Sequence, residues 1–396
     1  MADSGSRRHA GLTRREFVKR SSVGAGALLG AAAAAREAEG QDEEKRGDMT
    51  YRTLGRTGLK VSTVSFGSYG FSNPAVLEAA LDAGVNFLDT AGNYQAGNAE
   101  RQIGEIIRKR RKDAYIVTKL ETRPDSTKEE LLEQLDGSLQ RLQTDHVEVL
   151  QVYSPDDLAP IRNPALFEAC DQAKQQGKIR FTGVSEHSGP QIPPVLQEVA
   201  NTGKFDVPAC KYNYVEAPGL ERAIEALGKS NIRIYVFKAS AGNRQGELKE
   251  FTDKGASLQQ AAVKWALKNP NVASVCCGML SFDDVKKWTQ AASQPFTPED
   301  ERLLRRYASL VQATYCRYCG NCAALCPQRV AVADIMRYAM YFRYYGLEKD
   351  AMRQYAALPR SAQAAGCAAC EGPCTSGCPH GLPTRQNLIE AHRVLA

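Results

Sequence analysis

No glycine-rich G-x-G-x-x-G run follows any strand-like segment of this 396-residue chain, so a dinucleotide held on a Rossmann βαβ unit is excluded. Basic charge is scarce once the first twenty residues are set aside. Arg7, Arg8, Arg14, Arg15, Lys19 and Arg20 against Asp3 and Glu16 hold +4 of the +6 net charge, and the remaining +2 is too little for a nucleic-acid surface. No cysteine precedes Cys170, which excludes lipid attachment near the amino end, and no apolar run is long enough for a stable membrane span. With 43% hydrophobic and 24% charged residues, disorder and a collagen-like fibre are excluded, and the length suits one large domain plus a smaller one. Cysteine is the exception: eight of the 12 lie between Cys316 and Cys378. A metal-bearing tail is expected there.

Near the amino end, Thr13-Arg14-Arg15-Glu16-Phe17-Val18-Lys19 precedes an uncharged small-residue run from Ser21 to Ala35, and Ala33-Ala34-Ala35 offers an A-x-A cleavage site. The order resembles a twin-arginine export signal at every position except Val18, where leucine is usual. The resemblance implies a signal peptide over residues 1–35, read by the twin-arginine export machinery, and a protein delivered to the periplasm or exported. Residues 36–48 are charged and without periodicity, and read as a flexible linker.

From Val61 onward, short β-branched runs alternate with amphipathic stretches: VSTVSFGS with NPAVLEAALDAG, NFLDTA with NAERQIGEIIRKR, AYIVTKL with TKEELLEQLDGSLQRL, and HVEVLQVY with NPALFEACDQAKQQG. The pattern continues as IRFTGVSE, VPACKYNY, IRIYVFKA and VASVCCGM, each with its helix. Eight such pairs predict an α/β fold, a (β/α)8 TIM barrel over residues 49–295. Gly84, Gly177 and Gly203 sit where helices should end.

Barrel chemistry belongs at the carboxyl ends of the strands. There the sequence offers Asp89, Tyr94 in the following loop, Lys119, Tyr153, and Ser185, Glu186 and His187. A lysine closing the apolar strand YIVTKL needs a buried partner, and Asp89 on the adjacent strand could supply it. The bland alternative is a structural ion pair. The functional one is that Lys119, held by Asp89, lowers the pKa of Tyr94 so that the phenol protonates a carbonyl oxygen.

Tyr51-Arg52-Thr53-Leu54-Gly55-Arg56-Thr57-Gly58-Leu59-Lys60-Val61-Ser62, Asp89-Thr90-Ala91 with Tyr94, Val117-Thr118-Lys119, Gly183-Val184-Ser185 and Tyr212-Asn213 resemble the aldo-keto reductases in order and spacing over residues 49–292. The resemblance implies hydride transfer between NAD(P)H and a small carbonyl or alcohol substrate. It implies Asp89, Tyr94, Lys119 and Tyr153 as catalytic positions, and Ser185, Glu186, Tyr212, Asn213, Gly278 and Met279 as the nucleotide site, with Lys286 and Lys287 near its phosphates. Three positions depart from the family pattern. Tyr153 stands for the catalytic histidine, Glu186 for an asparagine, and Ala209 for a glutamine that orients nicotinamide. A phenol with a reference pKa of about 10 donates a neutral hydrogen bond where an imidazole would share a proton near pH 7.

In the tail, Cys316-x2-Cys319-x2-Cys322-x3-Cys326-Pro327 has the bacterial ferredoxin spacing. Cys367-x2-Cys370-x3-Cys374-x3-Cys378-Pro379 repeats it with one extra residue. Since the last cysteine of each ferredoxin run serves the other cluster, two 4Fe-4S clusters are expected. One is held by Cys316, Cys319, Cys322 and Cys378, the other by Cys367, Cys370, Cys374 and Cys326. Zinc and disulfides are the alternatives. Residues 296–396 thus read as an α-helical ferredoxin-like module with two helices between the cysteine runs, and with Tyr338, Tyr341, Phe342, Tyr344 and Tyr345 as an aromatic stripe. The combination resembles aldo-keto reductases that carry such a module, serving an electron-transfer partner of unknown identity. The rival reading is an electron-transfer or scaffold protein whose barrel has lost its catalysis.

Overall fold

The structure is a computed structural model that describes residues 43–396 except 156, 188, 190, 216–219, 243–247, 254, 312 and 313. The expected signal peptide and most of the expected linker lie outside the described residues. Residues 43–46, which the sequence assigned to the linker, form a short strand.

Eight parallel strands close into a barrel. They are β1 (Val64–Gly67), β2 (Phe87–Asp89), β3 (Tyr115–Leu120), β4 (Val147–Tyr153), β5 (Ile179–Glu186), β6 (Val207–Lys211), β7 (Ile234–Phe237) and β8 (Val272–Gly278), with β8 pairing to β1. The expected run VSTVSFGS is divided. Lys60–Ser62 pairs antiparallel with Met49–Thr53 as a hairpin, and only Val64–Gly67 enters the barrel. Leu54, Leu59 and Val61 pack with the inward residues Phe87, Val117 and Val149, so the hairpin plugs the end where the strands begin. Arg52 ties it there, donating to the carbonyls of Val272 (2.7 Å) and Leu267 (2.8 Å).

The helices begin and end where local chemistry dictates. Asn73 caps α1 (Pro74–Asp82). After α2 (Asn98–Arg110), a reciprocal Thr127/Glu130 capping box starts α3 (Lys128–Leu142). The shell continues through α4 (Pro164–Gln175), α5 (Ile192–Thr202), α6 (Glu221–Lys229), α7 (Leu258–Leu267) and α8 (Phe282–Ser293). Gly203 closes α5 at φ +62°, a conformation in which a Cβ is strained.

The next helix, α9 (Pro298–Val311), falls within the module by sequence but packs as barrel. Leu303, Leu304 and Tyr307 belong to the barrel's core cluster, Lys264 meets Asp300 at 2.7 Å, and the Tyr307 hydroxyl donates to the Ala241 carbonyl at 2.7 Å. A second, smaller core forms around α10 (Val332–Tyr344), α11 (Glu348–Ala357) and α12 (Thr384–Leu395), built on Ile335, Tyr338, Tyr355 and Leu388. The two expected helices between the cysteine runs are α10 and α11.

Helices α2 and α3 touch at Gly104, where an added Cβ would stand 2.6 Å from the Arg141 carbonyl oxygen. Backbone cannot retreat as a side-chain tip can. Gly104→Ala should therefore cost about 1–3 kcal/mol by overpacking, measured as a lowered thermal midpoint, and an unchanged midpoint would contradict this packing.

Candidate active site at the barrel mouth

Side chains alternate along a strand, so Phe87 and Val117 in the lower layer put Asp89 and Lys119 one layer up, at the mouth. Lys119 Nζ donates to Asp89 Oδ2 and to the Thr90 carbonyl, each at 2.8 Å, with both side chains buried. The expected ion pair is present. Two groups that the sequence reading passed over complete it. The Tyr235 hydroxyl donates to Asp89 Oδ2 at 2.5 Å and lies 2.9 Å from Gln151 Oε1, and the Gln151 amide donates to the Val207 carbonyl at 2.8 Å. Their signal was a polar residue at an inward position of an apolar strand, Tyr235 in IRIYVFKA and Gln151 in HVEVLQVY.

Tyr94 lies in the turn after β2, beside residues Gln95 and Ala96 at positive φ. The structure brings Lys119 and Tyr94 together, as the expected tuning of the phenol requires. Lys119 Nζ stands over the Tyr94 ring, 5.0 Å from its centroid, with two of its three donors held by Asp89 and Thr90. Burial, then the neighbouring Tyr153 and Asp89, hold the Tyr94 phenol well above the usual tyrosine range. Tyr94 is thus a neutral hydrogen-bond donor. Tyr153 meets it edge to face at 6.2 Å, and burial followed by Tyr341 raises that phenol too.

These residues line one cavity of about 300 Å³. His187 is part of it, stacked on Phe237 with ring centroids 4.4 Å apart and accepting on Nδ1 from Lys238 Nζ at 3.2 Å. Of the nucleotide candidates, Gly278 lines the cavity and the others do not. Met279 is core, Tyr212 packs on Trp265 at 4.7 Å, and Asn213 Oδ1 closes a turn on the Val215 amide at 3.1 Å. Ser185 and Glu186 are buried beneath the mouth, and Glu186 accepts from Ser154 Oγ at 3.3 Å. Lys287 is bound to Asp284 at 2.7 Å. With Lys286 it stands on the α8 face offered for the cofactor phosphates.

The roof of the cavity comes from the carboxyl-terminal helices. Arg337, Tyr341, Tyr344 and Tyr345 line it, and the Tyr69 hydroxyl after β1 donates to Asp350 of α11 and accepts from Gln354. Lys211, buried at the end of β6, donates to the Arg317 carbonyl at 3.1 Å and so ties the mouth to the first cysteine loop.

The eight cysteines fall into two neighbourhoods. Cys316, Cys319, Cys322 and Cys378 line one small void, closed by Met336 and Leu382. Cys326, Cys374 and Cys370 lie close enough to Cys367 to repel its thiolate. Backbone amides of Tyr318, Val330 and Gly372 donate to the sulfurs of Cys316, Cys326 and Cys370, each at 3.4 Å. Burial and the neighbouring thiols push Cys316 up to about 12, and Cys322 and Cys367 up to about 11. Thiols so crowded become thiolates near pH 7 only when a cation takes their charge. Among the described residues, no three Cys, His, Asp or Glu groups converge closely enough to hold a single metal ion.

The Aldo/keto reductase family profile matches residues 71–244. A probable voltage-gated potassium channel subunit beta of Oryza sativa subsp. japonica is 30% identical, over 58% of this chain and 87% of its own. The chain belongs to the aldo-keto reductase family. An uncharacterized oxidoreductase of Bacillus subtilis (strain 168) is 25% identical over 64% of this chain and 94% of its own. The holo form of an aldo-keto reductase from Bacillus halodurans superposes with a TM-score of 0.56 at 25% identity, covering 65% of this chain and 96% of that one. As a member of the family the protein is an aldo-keto reductase-type oxidoreductase, and the family profile stops short of the cysteine-rich segment.

Burial, then Lys238, Arg337, Lys119 and Lys211, holds His187 well below the usual histidine range. In the unfolded chain it protonates near its reference value of about 6.5, so as pH falls through that value the unfolded state gains a proton that the folded state refuses. Stability contributed by neutral His187 is therefore present above about pH 6.5 and lost below it. His187→Phe should flatten the fall in thermal midpoint between about pH 7.5 and 5.5. An equal fall in both proteins would refute the assignment.

Proposed function

We propose that the protein is an exported iron-sulfur oxidoreductase of aldo-keto reductase type. Hydride passes between NAD(P)H and a small carbonyl or alcohol substrate at the barrel mouth, accompanied by electron transfer through two 4Fe-4S clusters to an unidentified partner. The observation that carries the reading is the Asp89–Lys119 pair with Tyr94 in a cavity that both the barrel and the helices beside the cysteines line. When bound, the nucleotide would supply hydride and the clusters would supply one-electron steps.

The cysteine sets suit the clusters, and Gly278 is the nucleotide candidate that opens onto the cavity. At Gly278 an added Cβ would meet nothing within 4 Å, which leaves room for a nucleotide against the backbone beside the start of α8. The void among Cys316, Cys319, Cys322 and Cys378, with amide donors to sulfur in both neighbourhoods, supports the crossed ligand sets, and Cys326, Cys367, Cys370 and Cys374 form the second. For carbonyl reduction Tyr94 would donate its proton to the carbonyl oxygen, and the hydride would be what a bound nucleotide supplies. Lys119, fixed by Asp89 and Tyr235, keeps a positive charge beside the phenolate that results. Burial keeps the Tyr153 phenol protonated near pH 7, so it can offer a hydrogen bond but cannot act as a base. Among the described residues no helix is long and apolar enough to cross a membrane. The twin-arginine order at Arg14-Arg15 supports export after folding, with clusters already loaded.

A second reading is favoured by Tyr153 and by the raised pKa of Tyr94: an electron-transfer or scaffold iron-sulfur protein with a degenerate barrel. Iron, sulfide and nucleotide analysis of anaerobically purified protein separates the two, because the degenerate barrel would release no NAD(P). Tyr94→Phe should lower carbonyl turnover by about a hundredfold or more with nucleotide affinity unchanged. If the parent reduces no carbonyl and binds no nucleotide, the catalytic assignment falls. Separately, Cys378→Ser should damage the cluster of Cys316, Cys319 and Cys322, and Cys326→Ser the cluster of Cys367, Cys370 and Cys374, as seen by electron paramagnetic resonance. Each cysteine run keeping its own signal in the respective variant would reject the crossed ligation.

A further inference from the structure

Helix α10 serves two neighbours at once. Ile335, Tyr338 and Ala339 pack into the second core, while Arg337, Tyr341, Tyr344 and Tyr345, spaced near helical periods of three and four, line the barrel cavity. A guanidinium in that position is unusual company for a neutral carbonyl compound. Arg337 Nη2 donates to Asp334 at 2.6 Å, but Asp334 stands 44% exposed, where an i,i+3 pair is weak. Arg337 Nε is buried and makes no hydrogen bond among the described residues. Five donors and a fixed fork make this group a receptor for carboxylate.

The rest of the lining agrees in sign. Both acids that line the cavity are already taken, Asp89 by Lys119 at 2.8 Å and Asp284 by Lys287 at 2.7 Å. Lys238 adds positive charge on the barrel side, 5.2 Å from the Tyr341 ring that Arg337 shares a helix face with. His187 and Tyr153 both lie within the reach of the Arg337 charge. The walls between these cations are aromatic: Tyr69, Tyr94, Tyr153 and Tyr341.

We infer that the carbonyl substrate is an anion, a keto acid with a flat or aromatic body, whose carboxylate is held by Arg337 of α10 while its carbonyl faces Tyr94. This rests on the oxidoreductase reading for the chemistry at the carbonyl, and adds the class of substrate. Arg337 lies beyond the residues that the family profile matches, so specificity would reside in the appended segment rather than in the barrel.

The probes are benzoylformate and its methyl ester, which share the ketone and the ring and differ in charge. Calorimetric titration of the anaerobic full-length protein without nucleotide should show the acid binding at least about tenfold more tightly than the ester. Arg337→Met should abolish that preference, Arg337→Lys should keep part of it, and neither should alter the dissociation constant for NADPH. Equal binding of acid and ester by the parent would overturn the inference. So would loss of NADPH affinity with the acid's affinity intact in Arg337→Met, which would assign the guanidinium to the nucleotide. Because binding is read without turnover, the two readings fail separately. Selective binding of an acid that is never reduced would count against the oxidoreductase alone, and reduction of the ester as efficiently as the acid would count against the keto-acid site alone.

Discussion

Everything at the mouth of the barrel is arranged around one buried charge pair. An ammonium at the end of an apolar strand is tolerable only with an anion and hydrogen bonds at hand, and Lys119 has both in Asp89 and the Thr90 carbonyl. Asp89 in turn needs its second donor, which Tyr235 provides from across the barrel. The Thr90 bond fixes the start of the loop that carries Tyr94, and the ammonium sits on the Tyr94 ring at 5.0 Å. Removing either charge would leave the other buried and uncompensated, at a cost of about 3–5 kcal/mol.

The second organising feature is a helix with two faces. Were α10 an ordinary member of a separate small domain, its outer face would be polar. Instead it places tyrosines and an arginine on the barrel mouth, and the Tyr69–Asp350–Gln354 contacts clasp the adjoining helix to the first barrel loop. Lys211 makes the corresponding tie at the cysteine end, through the Arg317 carbonyl. The cavity is therefore built from both ends of the chain.

Much of this was legible from residue types. Asp89 and Lys119 stood out because a charge at the end of a short apolar strand has few places to go, and period-two alternation sends both inward. Helix ends were legible at Gly84, Gly177 and Gly203, each at a positive φ that a residue without a Cβ adopts readily. Less legible were residues whose role depends on a partner far away in sequence. Tyr235 and Gln151 looked like unremarkable strand residues until the barrel closed and brought them to Asp89. Tyr212 and Asn213 were placed at the nucleotide by resemblance, yet one packs on Trp265 and the other holds a turn. Helix α9 was assigned to the tail by its position after the last strand, and its apolar face belongs to the barrel.

The sequence by itself determined most of the elements: the eight strand and helix pairs of the barrel, several helix ends, and which polar residues stand at strand ends. Those properties come from local sterics, capping and periodicity, and need no knowledge of what lies opposite. Tertiary structure decided what each polar group does. Lys119 lies over the ring of Tyr94, 5.0 Å from its centroid, while its ammonium is held by Asp89 and the Thr90 carbonyl, a geometry that no spacing encodes. Likewise the α10 stripe could have been core packing alone. Only the docking of that helix against the barrel mouth turned Arg337 and Tyr341 into cavity walls, because the surfaces that meet there come from segments spread along the chain from Gly67 to Gln354.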